Sequence, residues 1–214
     1  MKPLNEQAYN YLQNLIMENH FSYQEVYSET KLSKELGISR TPLRDAVHRL
    51  AQEGYIDIIP SKGFMLHQMN RKDVNETFQV RSALETYCTV QISKDASTRK
   101  AKKLFKELDW IMECMNDIME TTHSIKEFSE YDFQFHTKII DYLENEQFSN
   151  VFAMFMYRMK RLAELSLAHK GRMEQTYEEH MAILDCIKNG DTSHIYEITL
   201  KHMETPRDIN LEDL

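Results

Sequence analysis

Residues 36–47 read LGISRTPLRDAV, and this stretch predicts the turn and the second helix of a helix–turn–helix. Gly37 occupies a position at which helices commonly end in a left-handed residue, after a helix that starts near Ser28. Thr41 is a suitable N-cap for the next helix, and Pro42 suits its first position. The spacing therefore predicts two helices that are separated by only a few residues.

The helix after this turn has an apolar face and a polar face. Leu43, Val47 and Leu50 recur at helical spacing and are expected to face a core. The residues left exposed at the amino-terminal end of the helix are Arg40, Thr41 and Arg44. Such an end can enter the major groove of DNA, where arginine donates bidentately to guanine and threonine holds phosphate. We interpret this helix as a DNA-reading helix.

A hairpin is predicted directly after the reading helix. Residues 55–59 and 64–67 have the composition of two short strands, and the tight turn PSKG at 60–63 joins them. With a first helix over about residues 5–18, the pattern is that of a winged helix, with Lys62 at the wing tip. The alternative is a small helical bundle with an ordinary hairpin and solvated arginines. The order of turn, cap, basic residues and hairpin favours DNA binding.

The chain is acidic overall, but its charge is unevenly distributed. Its 214 residues carry a net charge of −8; residues 1–70 hold seven Lys and Arg against eight Asp and Glu, and residues 71–214 hold 19 against 26. A basic patch in the first part can still meet phosphate, because salt limits the reach of distant charges to about 10 Å. Only five Gly and four Pro are present, which favours long helices over a turn-rich β-sandwich.

Cysteine content and hydropathy indicate in which cellular compartment the protein is expected. The three cysteines include no CxxC pair, which argues against a disulfide scaffold and for a reducing environment. The longest apolar run, residues 151–157, is far shorter than the roughly 20 residues that span a bilayer. We therefore expect a cytoplasmic protein that does not associate with a membrane.

Helical periodicity dominates the rest of the chain. The long helices are predicted at residues 73–96, 98–120, 124–143, 146–168, 172–188 and 192–204. Thr205-Pro206 is expected to close the last of them. The predicted fold class is mainly α, with an N-terminal winged helix-turn-helix in residues 1–70 and an all-α antiparallel helical bundle in residues 71–214.

Polar groups interrupt the apolar stripes of three of these helices. The four groups predicted to face the interior are Asp132, His136, His180 and His202. Asp132 and His136 are four residues apart and so share one helical face. Buried carboxylates and imidazoles are costly unless they are satisfied, and one divalent cation of the transition type would satisfy all four. The alternative is that each histidine is hydrogen-bonded in an ordinary core and that Asp132 and His136 form a simple pair.

The N-terminal part resembles the GntR-type bacterial transcription regulators. The motifs that carry the resemblance are Glu29-xx-Leu32, residues 36–47, Arg49-Leu50, Glu53-Gly54 and Lys62-Gly63. The resemblance implies that Arg40, Thr41 and Arg44 are DNA contacts and that Lys62 and Gly63 belong to the DNA-contacting wing. The chain departs from the family pattern at Tyr27, where a leucine is usual, and in residues 19–27, which lack the usual glycine.

The C-terminal part resembles the ligand-binding FCD domain of the FadR branch of that family. The matching motifs are RSALE at 81–85, DFQFH at 132–136, Glu179-His180, Gly190-Asp191 and His202. The resemblance implies a metal held by Asp132, His136, His180 and His202, for which zinc is expected and nickel or manganese are the alternatives. It also implies a small carboxylate effector at the metal, for which Arg81 is a candidate partner. An ordinary Arg81–Glu85 ion pair is the alternative role of that arginine.

The combined pattern predicts a homodimeric, metabolite-responsive regulator that binds double-stranded operator DNA and catalyses no reaction. Two alternatives remain at this point. The first is a metal-dependent enzyme that acts on a small carboxylate, although no general base for it is evident. The second is a DNA-binding dimer whose metal is purely structural.

Overall fold

The computed structural model describes residues 3–214, and the chain forms two compact units that join in sequence between Met69 and Asn70. The first unit contains α1 (Leu4–Met17), α2 (Glu29–Glu35), α3 (Arg40–Gln52), β1 (Ile56–Ile59) and β2 (Gly63–Leu66). The strands pair antiparallel, with Ile56 opposite Leu66 and Ile59 opposite Gly63. Helix α3 packs on α1, α2 and β1, and its apolar face is buried as predicted. The winged helix-turn-helix predicted from the sequence is confirmed.

The start of α3 differs from the prediction. The helix begins at Arg40 with Ser39 as its N-cap, rather than at Pro42 with Thr41 as the cap. Pro42 is therefore the third residue of the helix. A proline is tolerated there because the first-turn N–H groups have no partner within the helix. Arg40 and Thr41 consequently belong to the first helical turn.

Tyr27, at the position where the family usually has a leucine, contacts the wing through both its backbone and its ring. Its backbone forms an isolated bridge to Phe64 of β2, with hydrogen bonds of 2.7 and 3.0 Å. The Tyr27 ring packs against Phe21 and Phe64, at centroid distances of 4.3 and 5.9 Å. Tyr27 thus extends the hairpin by one bridge, a role that the sequence pattern does not reveal.

Gly63 is required by this bridge, and replacing it should destabilise the first unit. Its φ is +135°, and a Cβ there would lie 2.0 Å from the carbonyl oxygen of Tyr27. We expect Gly63→Ala to lower the free energy of unfolding by about 1–3 kcal/mol, from the strained backbone alone, and more from the clash. Denaturant titration of Gly37→Ala is the control, because Gly37 also has a positive φ but an added Cβ meets nothing within 4 Å. Equal losses in the two variants would contradict this role of Gly63.

The second unit is all-helical. Its helices are α4 (Arg71–Lys94), α5 (Arg99–Glu120), α6 (Ile125–Asp141), α7 (Glu146–Met154), α8 (Met156–Leu167), α9 (Arg172–Lys188) and α10 (Ile195–Glu212). Asn70 caps α4 with a reciprocal capping box to Asp73, so it belongs to this unit. Helix α4 packs on α10, and α5 packs on α6 and α9, around a core that includes Leu108, Phe128, Phe135 and Leu184. No helix in the described part of the chain is both long and apolar enough to cross a bilayer.

Two helix predictions in this unit were wrong. The stretch 146–168 forms two helices, α7 and α8, which are interrupted at Phe155. Consecutive apolar residues surround this break, so the periodicity gives no sign of it. The last helix starts at Ile195 and continues through Pro206 to Glu212 instead of closing at Thr205. Buried Asn210 stabilises the continuation, because its Nδ2 donates to the carbonyl of Pro206 at 2.7 Å and to that of Leu162 on α8 at 3.1 Å.

Candidate metal centre and nucleic-acid interface

Three histidines from three helices converge in the interior of the second unit. His136 lies on α6, His180 on α9 and His202 on α10, and all three are buried. The Nε2 atom of His180 lies 3.2 Å from the Nε2 atoms of both His136 and His202, which are themselves 3.3 Å apart. These three residues form the histidine cluster. On each helix, the residues that share a face with the histidine are apolar or buried, so the histidine also faces the interior.

A carboxylate oxygen of Asp132 lies beside the histidine cluster. This residue lies one turn before His136 on α6 and is 7% exposed. Its Oδ1 atom lies 3.5 Å from Nε2 of His180 and 3.7 Å from Nε2 of His136. The structure therefore brings the three histidines together and places an oxygen of Asp132 near the nitrogens of two of them, His136 and His180.

The spacing of the cluster fits a single cation. With a metal–nitrogen distance of 2.0–2.1 Å, a tetrahedral site separates its ligand atoms by about 3.3 Å. The observed separations of 3.2–3.3 Å match this value. A proton on one nitrogen can bridge only one neighbour well, whereas a cation accepts a lone pair from all three nitrogens at once. The donor set of three imidazoles and one carboxylate suits zinc and other transition-type ions.

His136 is oriented by a carboxylate behind it. Its Nδ1 lies 2.5 Å from Oε2 of Glu85, and Oε1 of Glu85 accepts a 2.9 Å hydrogen bond from Nε of Arg81. Both Arg81 and Glu85 belong to α4, and both are buried. A proton held on Nδ1 by Glu85 leaves the lone pair of His136 on Nε2, which points into the cluster. The Arg81–Glu85 pair considered from the sequence is present, but it is buried rather than exposed.

A second carboxylate orients His202 in the same way. Its Nδ1 lies 2.7 Å from Oε2 of Glu179, and Arg172 donates to both carboxylate oxygens of Glu179 at 2.9 and 2.8 Å. Arg172 is only 3% exposed. This carboxylate–histidine arrangement is typical of the outer shell of metal sites.

Electrostatics favour the neutral, metal-binding form of two of the three histidines, His180 and His202. Burial alone would lower the pKa of His136, but Glu85 outweighs burial and raises that pKa above its ordinary value. Burial, reinforced by the neighbouring His202, holds the pKa of His180 well below its ordinary value. Burial also lowers the pKa of His202, against the opposing effect of Glu179. Burial alone would raise the pKa of Glu85, but His136 and Arg81 outweigh it and hold that pKa at about 2. His180 and His202 are thus neutral at pH 7, and no bound proton has to leave their ring nitrogens before a cation binds.

Two small cavities border the cluster, and Arg81, Asp132 and His136 line both of them. The first has a volume of about 20 Å³ and lies between residues of α4, α6, α8, α9 and α10. The second, of about 10 Å³, is closed on its other side by residues of α6, α7 and α8. Any molecule larger than water therefore requires these helices to separate slightly before it binds.

Glu179 offers a direct test of the outer shell. We expect Glu179→Gln to weaken zinc binding by about 10- to 100-fold, the range typical of outer-shell changes, because the amide cannot accept from both Arg172 and His202. The measurement is competition for zinc against a chromophoric chelator. Glu178→Gln is the matched control, because Glu178 is exposed and adjacent. Equal zinc affinities in the two variants would contradict a role for Glu179 at the site.

The basic residues of the first unit border an open cleft. The cleft has a volume of about 410 Å³ and lies between the start of α2, the exposed face of α3 and the wing. The residues predicted from the sequence that line it are Arg40, Arg44, Lys62 and Gly63. Thr41 is exposed in the first turn of α3 but does not line the cleft. Glu29 faces Arg44, with Oε2 lying 3.9 Å from Nε of the arginine.

The sequence interpretation missed several residues at both sites. His48 lines the cleft of the first unit, and its spacing of four and eight residues from Arg44 and Arg40 could have indicated a shared helical face. Glu85, Glu179 and Arg172 support the histidine cluster. Three sequence features could have indicated them. Glu85 is four residues after Arg81, Glu179 is next to His180, and Arg172 is seven residues before Glu179.

A winged helix-turn-helix followed by an all-helical unit with a buried histidine cluster is the architecture of a DNA-binding regulator with a sensory domain. Comparison with known families supports this class. The gntR family of bacterial regulatory proteins matches residues 4–66, and the FCD domain matches residues 76–205. The chain therefore belongs to the FCD-containing GntR family of bacterial transcription regulators.

Individual relatives agree with this assignment. The chain is 25% identical over 196 residues to the uncharacterized HTH-type transcriptional regulator YdhC of Bacillus subtilis, covering 92% of this chain and 86% of the relative. It is 26% identical over 195 residues to the gluconate operon transcriptional repressor of Bacillus licheniformis, covering 88% and 71%. The solved structure of E. coli McbR/YncC shares the fold, with a TM-score of 0.75, 17% identity and coverage of 100% and 99%. The relatives named here are transcriptional regulators and not enzymes.

Proposed function

We propose that the protein is a transcription regulator that binds operator DNA through its first unit and senses a small carboxylate at a metal ion in its second. The observation that carries the proposal is the convergence of three Nε2 atoms and one Asp132 oxygen beside a cavity lined by Arg81. Family membership supports DNA binding and effector sensing in general terms. The metal, the class of effector and the residue roles are our inference.

The proposed metal ligands are Asp132, His136, His180 and His202. Zinc is the proposed ion, because it accepts the tetrahedral spacing and this mixture of nitrogen and oxygen ligands. Nickel and manganese are the alternatives, which elemental analysis would distinguish. A tetrahedral ion with four protein ligands can expand its coordination to accept an effector oxygen.

The charge of the site favours an anionic effector. The charged groups that contact the cluster or hold its histidines are buried, except Glu179, which is partly exposed. Three of them are negative and two are positive: Asp132, Glu85, Glu179, Arg81 and Arg172. With neutral imidazoles, a divalent ion changes the local net charge from −1 to +1. A monovalent carboxylate would then neutralise the site. Arg81 is the proposed partner of that carboxylate, because it uses Nε for Glu85 and lines the cavity beside Asp132.

DNA recognition is assigned to the cleft of the first unit. We propose that Arg40 and Arg44 reach base edges, that Thr41 holds phosphate and that Lys62 contacts the backbone or the minor groove. Gly63 contributes by allowing the wing to pair with Tyr27. We further propose a cytoplasmic homodimer in which each first unit reads one half-site, and in which effector binding changes the placement of the two reading helices.

Two other functions use the same residues. A metal-dependent enzyme would need a general base beside the ion, and the nearby carboxylates Glu85 and Glu179 are already engaged with arginine and histidine. A purely structural metal would leave DNA affinity insensitive to every small molecule. The match to the FCD domain supports sensing over this second alternative.

A thermal-shift panel of small carboxylates, with and without chelator, tests the proposal. We expect zinc to raise the melting temperature, and one or more carboxylates to raise it further only when zinc is present. The same carboxylate should change the affinity for operator DNA. Stabilisation by carboxylates that is unaffected by chelator, or the absence of any stabilisation, would contradict the metal-anchored sensor.

A further inference from the structure

One histidine of the first unit faces the cleft without a protein partner. The unit contains three histidines, His20, His48 and His67. Nε2 of His20 lies 3.1 Å from Oε2 of Glu18, and Nδ1 of His67 lies 2.9 Å from Oδ1 of Asp57. In the described part of the chain, no hydrogen bond or ion pair engages His48, which is exposed and lines the cleft. Its imidazole is therefore available to whatever occupies the cleft.

The position of His48 on α3 places it at the edge of a groove rather than at its floor. His48 shares the cleft-facing side of α3 with Arg40 and Arg44, which precede it by eight and four residues. It lies about 12 Å beyond Arg40 along the helix axis. The major groove of B-DNA is about 8.5 Å deep. A helix whose first turn reaches the base edges thus carries His48 to the level of the phosphates.

The charges around His48 favour an anion. The charged groups that line the cleft with it are Arg40 and Arg44 on α3, Lys62 on the wing and Glu29 on α2, three positive and one negative. Glu29 faces Arg44 rather than standing alone. Asp45 lines a separate cavity on another side of α3. The cleft therefore has a net positive charge, which suits the phosphates of a DNA strand that passes between α3 and the wing.

We infer that His48 contacts a phosphate of the operator backbone between the reading helix and the wing, and that it does so as an imidazolium. Histidine is the side chain whose charge ordinarily changes near neutral pH, and a phosphate beside it favours the charged form. Binding of DNA thus takes up a proton, so operator affinity rises as the pH falls. This inference rests on the proposed DNA recognition and adds to it a contact that makes operator affinity depend on pH.

Fluorescence anisotropy titrations of the full chain at pH 6 and pH 8, against DNA that the wild type selects from a random pool, test the contact. Between pH 8 and pH 6 the affinity of wild type should rise about three- to tenfold more than that of His48→Gln, because uptake of one proton changes affinity by at most about tenfold per pH unit. The slope of log affinity against log salt should also become steeper at pH 6 by about 0.9 in wild type alone, the value for one further neutralised phosphate. All other titrating groups are common to both proteins, so their effects cancel in the comparison.

Two further variants separate charge from loss of the side chain. His48→Lys carries a permanent charge, so it should bind more tightly than His48→Gln at pH 8 and lack the extra pH dependence of wild type. His20→Gln removes an exposed histidine of the same unit that does not line the cleft, and it should retain the pH dependence of wild type.

The outcomes distinguish this contact from DNA recognition as a whole. Equal pH dependence in wild type and His48→Gln, with binding of the selected DNA retained, would overturn the contact alone. A loss in His48→Gln that is confined to the selected DNA, with unrelated DNA bound as by wild type at both pH values, would assign His48 to a base edge and overturn the phosphate contact. Failure of wild type to enrich any sequence from the pool would overturn operator recognition and this inference with it.

Discussion

A His180→Ala variant is expected to lose the bound ion and the stability that the ion supplies. His180 contributes the nitrogen that lies 3.2 Å from both of the other cluster histidines, so its removal leaves the remaining ligands without a common centre. At free zinc concentrations of 100 to 1,000 times Kd, binding stabilises the native state by about 2.7–4.1 kcal/mol. The variant should lose this increment, measured as the difference in unfolding free energy with and without zinc.

The control for this prediction is His169→Ala. His169 is an exposed histidine of the same unit that pairs with Asp213, so its removal should leave zinc content unchanged. His180→Gln provides a second variant that preserves side-chain volume and hydrogen bonding. A full metal complement in both His180 variants would remove this residue from the site.

The second prediction with a large expected effect concerns DNA binding by the reading helix, α3. If Arg40 donates to a base edge, Arg40→Ala should reduce discrimination between operator and unrelated DNA by about 1–3 kcal/mol. Lys62→Ala should instead weaken binding to all sequences alike and lower the slope of log affinity against log salt by about one. The operator probe is DNA that the wild-type protein selects from a random pool. Fluorescence anisotropy titrations with this DNA and with unrelated DNA, at several salt concentrations, measure both the discrimination and the salt slope.

An exposed lysine outside the cleft controls for net charge. Lys31 lies on α2, and its ion pair with Glu35 one turn later is long, at 4.0 Å. Lys31→Ala should change neither specificity nor the salt slope appreciably. Operator discrimination by Arg40→Ala that equals that of wild type would contradict the assignment of this arginine to base recognition.

The sequence predicted the first unit well because its signals are local. The turn at Gly37, the apolar face of α3 and the PSKG turn each depend on residues within a few positions of one another. The error at Thr41 was a shift of two residues in a helix start, since Ser39 and Thr41 have equally suitable cap chemistry. The bridge from Tyr27 to Phe64 joins residues 37 positions apart, and no local pattern encodes it.

The second unit was less predictable where tertiary contacts override local rules. Pro206 normally signals a helix end, but Asn210 bonds to α8 and to the Pro206 carbonyl and so supports the continued helix. The four ligand-type residues were found because each interrupts an apolar stripe. The carboxylates behind them were not identified, since the pairing of Glu85 with His136 depends on how α4 and α6 pack.

The most direct test of the metal site combines elemental analysis of the purified full chain with anomalous diffraction from its crystals after incubation with zinc. We predict one ion per chain at the centre of the histidine cluster, about 2.0–2.2 Å from Asp132 and from the three Nε2 atoms. Crystals that contain no ion there, with the three imidazoles hydrogen-bonded only to protein groups, would contradict the metal-anchored sensor.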